Sequence, residues 1–301
     1  MPDHPNDSAF KSGFVAIVGA PNVGKSTLLN RMLGEKISIT SKKPQTTRNR
    51  VLGVLHRPAA QMIFLDTPGV HPAKKLLNVR IVETALDAMG DADLLLILID
   101  LASPDPVSEG LMVKKLAKHR KPVILALNKV DRVDKKDLLD IIGQWESVYP
   151  FEAIVPISAA KGTQVDVLMA ILEKHLPTGP PYFPSDTLTD LTERFIAAEL
   201  IREKVFRLTG EEIPYAAAVT VDRFKEEKNG ALIRIHATIH LERKSQKGIV
   251  IGQQGAKLKQ IGTAARKDIQ RFLGTKVFLQ LFVRVEKNWS KDTKALRKLG
   301  Y

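Results

Sequence analysis

Apolar and polar positions fall into two regimes along this chain. Between residues 13 and 176, short apolar runs centred on 15–18, 51–55, 62–65, 94–99, 123–127 and 154–157 alternate with longer amphipathic stretches centred on 25–33, 74–89, 107–119, 135–148 and 164–175. Unbroken apolar runs suit strands covered on both faces. Strands that alternate with helices predict a mainly parallel sheet with helices on both faces. The pattern then breaks at 176–185, where four prolines fall within eight positions. Such a stretch predicts a semi-stiff extended linker over 177–188, reaching roughly 3 Å per residue. An amphipathic helix is predicted next, over about 189–208, with Leu191, Phe195, Ala198, Ile201 and Val205 on one face. Strands follow over 215–224 and 232–241, on either side of the turn Lys228-Asn229-Gly230. Then come Ile249-Val250-Ile251, the loop Gly252-Gln253-Gln254-Gly255, a helix bearing Leu258, Ile261, Ala265, Ile269 and Phe272, and a strand over 277–285. The expected organisation is a flexible N-terminus (1–12), an α/β domain (13–176), the linker (177–188), and a smaller α+β domain of order α-β-β-α-α-β (189–301).

The chemistry of the first domain gathers just after its apolar runs. Gly19-Ala20-Pro21-Asn22-Val23-Gly24-Lys25-Ser26 fits the phosphate loop G-x-x-x-x-G-K-[ST]; it follows the run at 14–18 and opens the helical stretch that begins with Thr27. Glycines at 19 and 24 allow a tight turn whose backbone N–H groups converge on phosphates, with the positive end of a helix behind them. Lys25 is expected at the β- and γ-phosphates and the Ser26 hydroxyl on Mg²⁺. Asp66-Thr67-Pro68-Gly69 follows the apolar run at 62–65. Its aspartate is placed for the metal and its glycine for a backbone N–H close to the γ-phosphate. Asn128-Lys129-Val130-Asp131 follows the run at 123–127. The Asp131 carboxylate can accept from both N1–H and N2–H of guanine, a pair that adenine lacks, so mismatch would leave a polar site group without its partner. Ser158-Ala159-Ala160-Lys161 would close the base pocket through a backbone N–H, and Thr46-Thr47-Arg48 lies between the first two motifs. Alone, the phosphate loop says only NTP, Asp-Thr-Pro-Gly reads as a turn and Asn-Lys-x-Asp as a solvated loop. In this order, each behind an apolar run, they specify a guanine-nucleotide pocket in an α/β P-loop GTPase domain, with GTP/GDP and Mg²⁺ as ligands.

Composition narrows the setting. The chain has no cysteine, which excludes disulfides, thiolate metal sites and a cysteine nucleophile, and suits a reducing cytoplasm. No apolar stretch approaches the ~20 residues of a spanning helix, and the polar N-terminus shows neither a secretion nor a lipidation pattern. His236 and His240, four apart on one strand face, are the only histidines with ligand-like spacing, but neither has a carboxylate ligand neighbour in the sequence, so a surface pair is expected rather than a metal site. Charge is uneven: residues 241–301 hold 15 Lys/Arg against 4 Asp/Glu, within a chain of formal net charge +13. That surplus points to a polyanion partner for the C-terminal part.

The order α-β-β-α-α-β with G-x-x-G between its last two helices resembles a KH domain of type II topology. Two glycines let the loop turn sharply, so that backbone N–H groups and helix ends face nucleic-acid phosphates. The expected RNA site is Gly252, Gln253, Gln254 and Gly255 with Lys247, Lys257 and Lys259 on phosphates, and with Ile249, Ile251 and Ile261 lining a groove for bases.

With both halves in view, the chain resembles the Era family of bacterial GTPases, in which a Ras-like domain precedes a C-terminal KH domain. The resemblance rests on Pro44-Gln45-Thr46-Thr47-Arg48, Asp66-Thr67-Pro68-Gly69-Val70-His71, the stretch 245–255, and Val285-Glu286-Lys287-Asn288-Trp289-Ser290. It implies binding to the 3′ end of 16S ribosomal RNA and to the small ribosomal subunit, a role in subunit maturation, and partial peripheral association with the inner face of the cell membrane; no DNA partner is expected. The catalytic set it implies is Lys25, Asn22, Thr47 and Gly69, with Ser26, Thr47 and Asp66 at the metal. Thr46 stays open as the alternative switch threonine. Val70 stands where Ras-like enzymes place a water-orienting glutamine, which implies slow intrinsic hydrolysis. Asn22 occupies the position that ligates K⁺ in potassium-activated relatives. Two alternatives remain at this point: a GTPase acting on another RNA, and an RNA-binding protein whose nucleotide site is only structural. A kinase-like reading would leave 128–131 unexplained.

Overall fold

In the computed structural model, residues 10–41, 43, 46–73, 76–117, 119–210, 212–227 and 230–301 are described. Most of the expected flexible terminus, Pro44 and Gln45, and Lys228 and Asn229 of the predicted turn lie outside the described residues. The chain divides into two units. One holds residues up to Ile37, Asn49–Ala73 and Ile81–Asp190; the other holds the described residues of Ser38–Arg48 and Lys74–Arg80 together with Leu191–Tyr301.

The N-terminal unit is built on strands β1 (Lys11–Gly19), β2 (Val51–Arg57), β3 (Ala60–Asp66), β4 (Leu94–Asp100), β5 (Val123–Asn128) and β6 (Ala153–Ile157), in the sheet order β2-β3-β1-β4-β5-β6. Only β2 runs antiparallel, paired with β3 from Val51↔Asp66 to Arg57↔Ala60. Helices α1 (Lys25–Leu33), α2 (Leu76–Asp91, of which this unit holds the part from Ile81), α3 (Pro106–Leu116), α4 (Leu138–Glu146) and α5 (Val165–His175) alternate with the strands. Strands β3, β4 and β5 are buried along their whole length, because helices cover both faces of a parallel sheet. From β1 the chain visits β3 on one side and then β4 on the other. The reversal opens a crevice at the carboxyl end of β1, where open α/β sheets take their ligands. Gly19, Asp66, Asn128 and Ser158 all lie at that edge, ending or following β1, β3, β5 and β6.

The proline-rich stretch does not stand off as a spacer. It runs along the N-terminal unit: Ser12 N donates to Pro177 O (3.1 Å) and Gly179 N to Phe10 O (3.0 Å). Gln61 Oε1 accepts from Tyr182 N (2.7 Å) and Phe183 N (2.9 Å), and Val54 N donates to Leu188 O (2.8 Å). Backbone groups that proline leaves unpaired find partners along the sheet edge, a long-range pairing that composition does not reveal.

In the C-terminal unit, helix α6 (Glu193–Leu208) is capped by Thr192, whose hydroxyl accepts from Phe195 N at 3.2 Å. A single turn, α7 (Ile213–Ala216), leads into β7 (Ala218–Glu227) and β8 (Leu232–Leu241). Helices α8 (Lys244–Ile251) and α9 (Ala256–Leu273), strand β9 (Lys276–Val285) and helix α10 (Thr293–Lys298) follow. Apart from α7 and α10, this is the expected α-β-β-α-α-β order. Strand β8 is central, antiparallel to β7 and parallel to β9. One sheet face, with Ile233, Ile235, Ala237, Ile239 and Leu241, packs on Ile201 and Val205 of α6, Val250 of α8, and Ile261, Ala265 and Ile269 of α9.

Candidate functional site

The loop after β1 has Asn22 in a left-handed conformation (φ 64°) and Gly24 as the left-handed N-cap of α1 (φ 106°). Lys25 lies beneath it, buried, with Nζ donating to Gly19 O (3.0 Å) and Ala20 O (2.8 Å). Burial pulls its pKa down from 10.5 to about 8, and the Asp66 carboxylate opposes that fall. The Ser26 hydroxyl donates to Asp66 Oδ2 at 2.7 Å. These two hard oxygen donors, adjacent to an ammonium, form a donor set suited to Mg²⁺, which takes few protein ligands and keeps the rest for water and phosphate. Thr67 Oγ1 donates to Ile17 O (2.8 Å) and Val70 N to Gly19 O (3.0 Å), tying the second motif to the phosphate loop. A Cβ on Gly69 would stand 2.7 Å from the backbone N and Cα of Pro21, so only glycine fits there.

The base-side motif is equally tied in. Asn128 Nδ2 donates to Val23 O (2.7 Å), while its Oδ1 accepts from Ala159 N (2.9 Å). One buried amide therefore joins the phosphate loop to the loop after β6. Lys129, left-handed at φ 68°, donates to Asn22 O (3.1 Å) and pairs with the Asp100 carboxylate at the end of β4. Asp131 is exposed, and a hydrogen bond from the Ser158 hydroxyl holds its carboxyl below the usual range. Arg31 of α1 donates to Ala159 O (3.3 Å) and Ala160 O (2.5 Å), fixing the fourth loop from below. Gly19 through Thr27, 66–69, 128–131 and 158–159 thus converge at one sheet edge. Thr46 and Thr47 lie in the C-terminal unit, where Thr46 Oγ1 donates to Lys43 O at 2.7 Å and Thr47 is buried.

The expected RNA loop lies between α8 and α9. Gly252 has φ 72°, and a Cβ there would meet Lys257 Cβ at 2.7 Å and Lys257 N at 3.0 Å; Gln254 and Gly255 are left-handed. Ile249 is exposed, Gln253 and Gln254 are exposed beside it, and Lys259 projects from α9. Lys247, Ile251 and Lys257 are half-buried around the loop, with Lys257 Nζ reaching Gln260 Oε1 at 3.2 Å. A concave surface of about 500 Å³ continues along α9, lined by Ala256, Lys259, Gln260, Thr263, Ala264 and Lys267. Ile261 lines no groove, because it is fully buried in the sheet–helix core. His240 is not a surface residue either: its Nε2 lies 2.8 Å from Thr220 Oγ1 and its Nδ1 3.2 Å from Glu286. No group of three or more His, Cys, Asp or Glu placed to hold a metal occurs among the described residues.

Known proteins match both halves. The family model described as "50S ribosome-binding GTPase" matches residues 14–129, and that described as "KH domain" matches 212–290. GTPase Era of Geobacter metallireducens is 56% identical over 296 residues, covering 98% of this chain and 99% of its own. The chain belongs to the Era family of GTPases. GTPase Era of Lacticaseibacillus paracasei is 47% identical over 294 residues, covering 98% of each chain. Two solved Era structures superpose with a TM-score of 0.93 at 42% identity, covering 97% of this chain and 99% of theirs. One is in complex with MgGDPNP and nucleotides 1506–1542 of 16S ribosomal RNA; the other is a point variant of Aquifex aeolicus Era bound to GDP·AlF4⁻. This Era-family member is accordingly a GTP-hydrolysing enzyme with an N-terminal P-loop GTPase domain and a C-terminal KH domain. No helix among the described residues is long and apolar enough to cross a membrane.

Two features of this Era-family site escape motif reading. Asp100, which orders Lys129, ends the apolar run of β4 at the ligand edge, and its position after a buried strand was the available signal. Arg48 stands in the Thr46-Thr47-Arg48 motif, but its partners lie 166 to 253 positions away and carried no signal. Its buried guanidinium donates to Ala217 O (3.0 Å), Pro214 O (3.0 Å), Tyr215 O (3.2 Å) and the Tyr301 hydroxyl (3.2 Å). The rings of Phe206, Trp289 and Tyr301 lie 5.3 to 5.9 Å from it. Carbonyl dipoles and ring faces replace the carboxylate that a buried cation ordinarily needs.

Proposed function

We propose that this GTPase binds the 3′ end of 16S ribosomal RNA through its 252–255 loop and acts in maturation of the small ribosomal subunit, with the nucleotide state gating RNA binding. The observation that carries the reading is the near-full-length likeness to an Era solved with MgGDPNP and that RNA segment. It is supported by a G-x-x-G loop held in the strained backbone that only glycine adopts readily, beside Lys247, Lys257 and Lys259. In the nucleotide pocket, the backbone of 19–24 and Lys25 hold the phosphates, Asn128 braces the base-side loops, Asp131 selects guanine, and Gly69 admits its backbone close to the γ-phosphate. Mg²⁺ would be held by Ser26, Asp66 and, in the GTP state, Thr47, with Thr46 as the alternative. It supplies charge neutralisation on the transferring phosphoryl group. Val70 offers no side-chain hydrogen bond to an attacking water, so intrinsic hydrolysis is slow.

The described residues of Ser38–Arg48, which carry both threonines, pack on α6 of the KH-bearing unit: Thr40 N donates to Glu203 at 3.1 Å, and Ile39 joins that unit's core. Asn22 is exposed at the phosphate loop and suits a K⁺ ligand; hydrolysis faster in K⁺ than in Na⁺, lost in Asn22→Ala, is the expected signature. Peripheral membrane association rests on the basic surplus of residues 241–301 alone, and flotation with anionic vesicles tests it. The decisive experiment is anisotropy of a labelled 16S 3′-end RNA with the protein loaded with a GTP analogue or with GDP. At least about tenfold tighter binding with the analogue is expected. Equal affinity in both states contradicts gating, and no binding in either contradicts the RNA assignment.

A further inference from the structure

The face of the β7-β8-β9 sheet opposite the helices carries residues that the 252–255 loop does not use. Along β9 this outer row is Lys276, Phe278, Gln280, Phe282 and Arg284, and all five are exposed. Their β8 partners in register are Leu232, Arg234, His236, Thr238 and His240. Phe278 is 43% exposed and Phe282 46%; of the chain's eleven phenylalanines only these two stand so far into solvent. They lie four residues apart on one strand, about 13 Å along it. Each has a cationic or heteroaromatic neighbour. The Arg234 guanidinium sits 4.7 Å from the Phe278 ring centroid, and the His236 ring lies 6.3 Å from that of Phe282 at 68°.

Charge on this face is predominantly basic: Arg223, Lys225, Arg234, Lys276 and Arg284 stand against Asp222, Glu227 and Glu286. Lys276 and Arg284 flank the rings on β9, and Arg223 and Lys225 are exposed on β7. The β7 carboxylates beside them are already engaged: Glu227 takes both arms of Arg234 at 3.2 Å, and Asp222 accepts from Thr220 (3.1 Å) and Thr238 (2.6 Å). Exposed rings between unneutralised cations suit a ligand with flat apolar faces on an anionic backbone. Bases stacked on aromatic side chains with Lys/Arg along the phosphates are how sequence-tolerant single-strand binding is built. A protein partner would favour an interface core poor in lysine, and this row has lysine at its end.

We propose that this outer sheet face is a second nucleic-acid surface, on which bases of a single-stranded RNA stack on Phe278 and Phe282 while Arg223, Lys225, Lys276 and Arg284 neutralise its phosphates. It reads no sequence, and it lies on the other side of the sheet from the G-x-x-G loop. One RNA could therefore continue from the loop around the edge strand, or two segments could bind at once.

The test is anisotropy of labelled oligouridylate, which forms no stable structure, with the full chain. Four proteins are compared: wild type, Phe278→Ala with Phe282→Ala, Lys257→Glu with Lys259→Glu, and all four changes together. A further variant, Phe278→Trp with Phe282→Trp, keeps the stacking surface. Removing the rings is expected to weaken binding by about tenfold or more, with or without the lysine changes, while the tryptophan variant binds at least as well as wild type. Hydrolysis of GTP stays at the wild-type value, since neither ring belongs to the nucleotide pocket, and the tryptophan variant controls for any loss of packing. Unchanged affinity in the alanine variant overturns the proposal, as does loss of all binding in the lysine variant. Self-association of the wild type that the alanine changes abolish also overturns it, because a second copy then covers the face. Loss only on removing the rings would instead sink the loop assignment and leave this surface standing.

Discussion

Lys25 Nζ donates to the very loop it follows, at Gly19 O and Ala20 O, and its lowered pKa records how little water reaches it. A bound phosphate favours the charged ammonium, so nucleotide binding raises this pKa above about 8. Below that value the free protein already carries the proton and affinity is insensitive to pH. Above it, binding must take up a proton, and affinity falls as pH rises, by up to tenfold per unit. Calorimetry of GDP binding in buffers of different ionisation enthalpy, from pH 7 to pH 9, checks this; proton uptake should appear only toward the alkaline end and vanish in Lys25→Met. Single residues also mark what motif reading could and could not supply. Spacing alone placed Gly19, Lys25, Ser26, Asp66 and Asn128 at one edge, because strand ends in a parallel sheet bring such loops together. That Asn128 would bind Val23 O and Ala159 N was not legible, since those partners lie 105 and 31 positions away.

Among elements, α6 departs furthest from expectation. Its apolar stripe was readable, and Ile201 and Val205 are in the core. Arg202, Glu203 and Lys204 lie between them, off the apolar stripe, yet all three are buried. Arg202 donates to Thr46 O, Glu203 accepts from Thr40 N, and Lys204 pairs with Asp268 of α9. Amphipathic periodicity finds which side of a helix meets apolar neighbours; it does not find a polar segment some 160 residues upstream that covers the other side. Arg48 closes the same segment down, giving at least three hydrogen bonds to backbone carbonyls of 214–217. Arg48→Met removes these at roughly 1 kcal/mol each and leaves carbonyls unpaired. Amide hydrogen exchange of residues 46–48 should quicken about tenfold or more, with exchange in β8 unchanged. Protection equal to wild type would show that the anchor lies elsewhere.

For the whole molecule, the two regimes of hydrophobic pattern correspond to two structural units, with the proline-rich stretch bound along the first. The basic surplus of residues 241–301 gives the second unit an electrostatic character that fold alone does not require. Affinity for single-stranded RNA should fall with salt, at a slope of about 0.7 per phosphate neutralised. Replacing Lys247, Lys257 and Lys259 with glutamine should lower that slope by roughly 2, whatever the RNA sequence. An unchanged slope would remove these lysines from the interface. The most direct measurement concerns the base reader. Calorimetric titration of GDP and ADP into wild type and Asp131→Ala should show a guanine preference of about 10⁴-fold or more, collapsing to within about tenfold in the variant. A variant that still rejects ADP as strongly as wild type would contradict the account at its root.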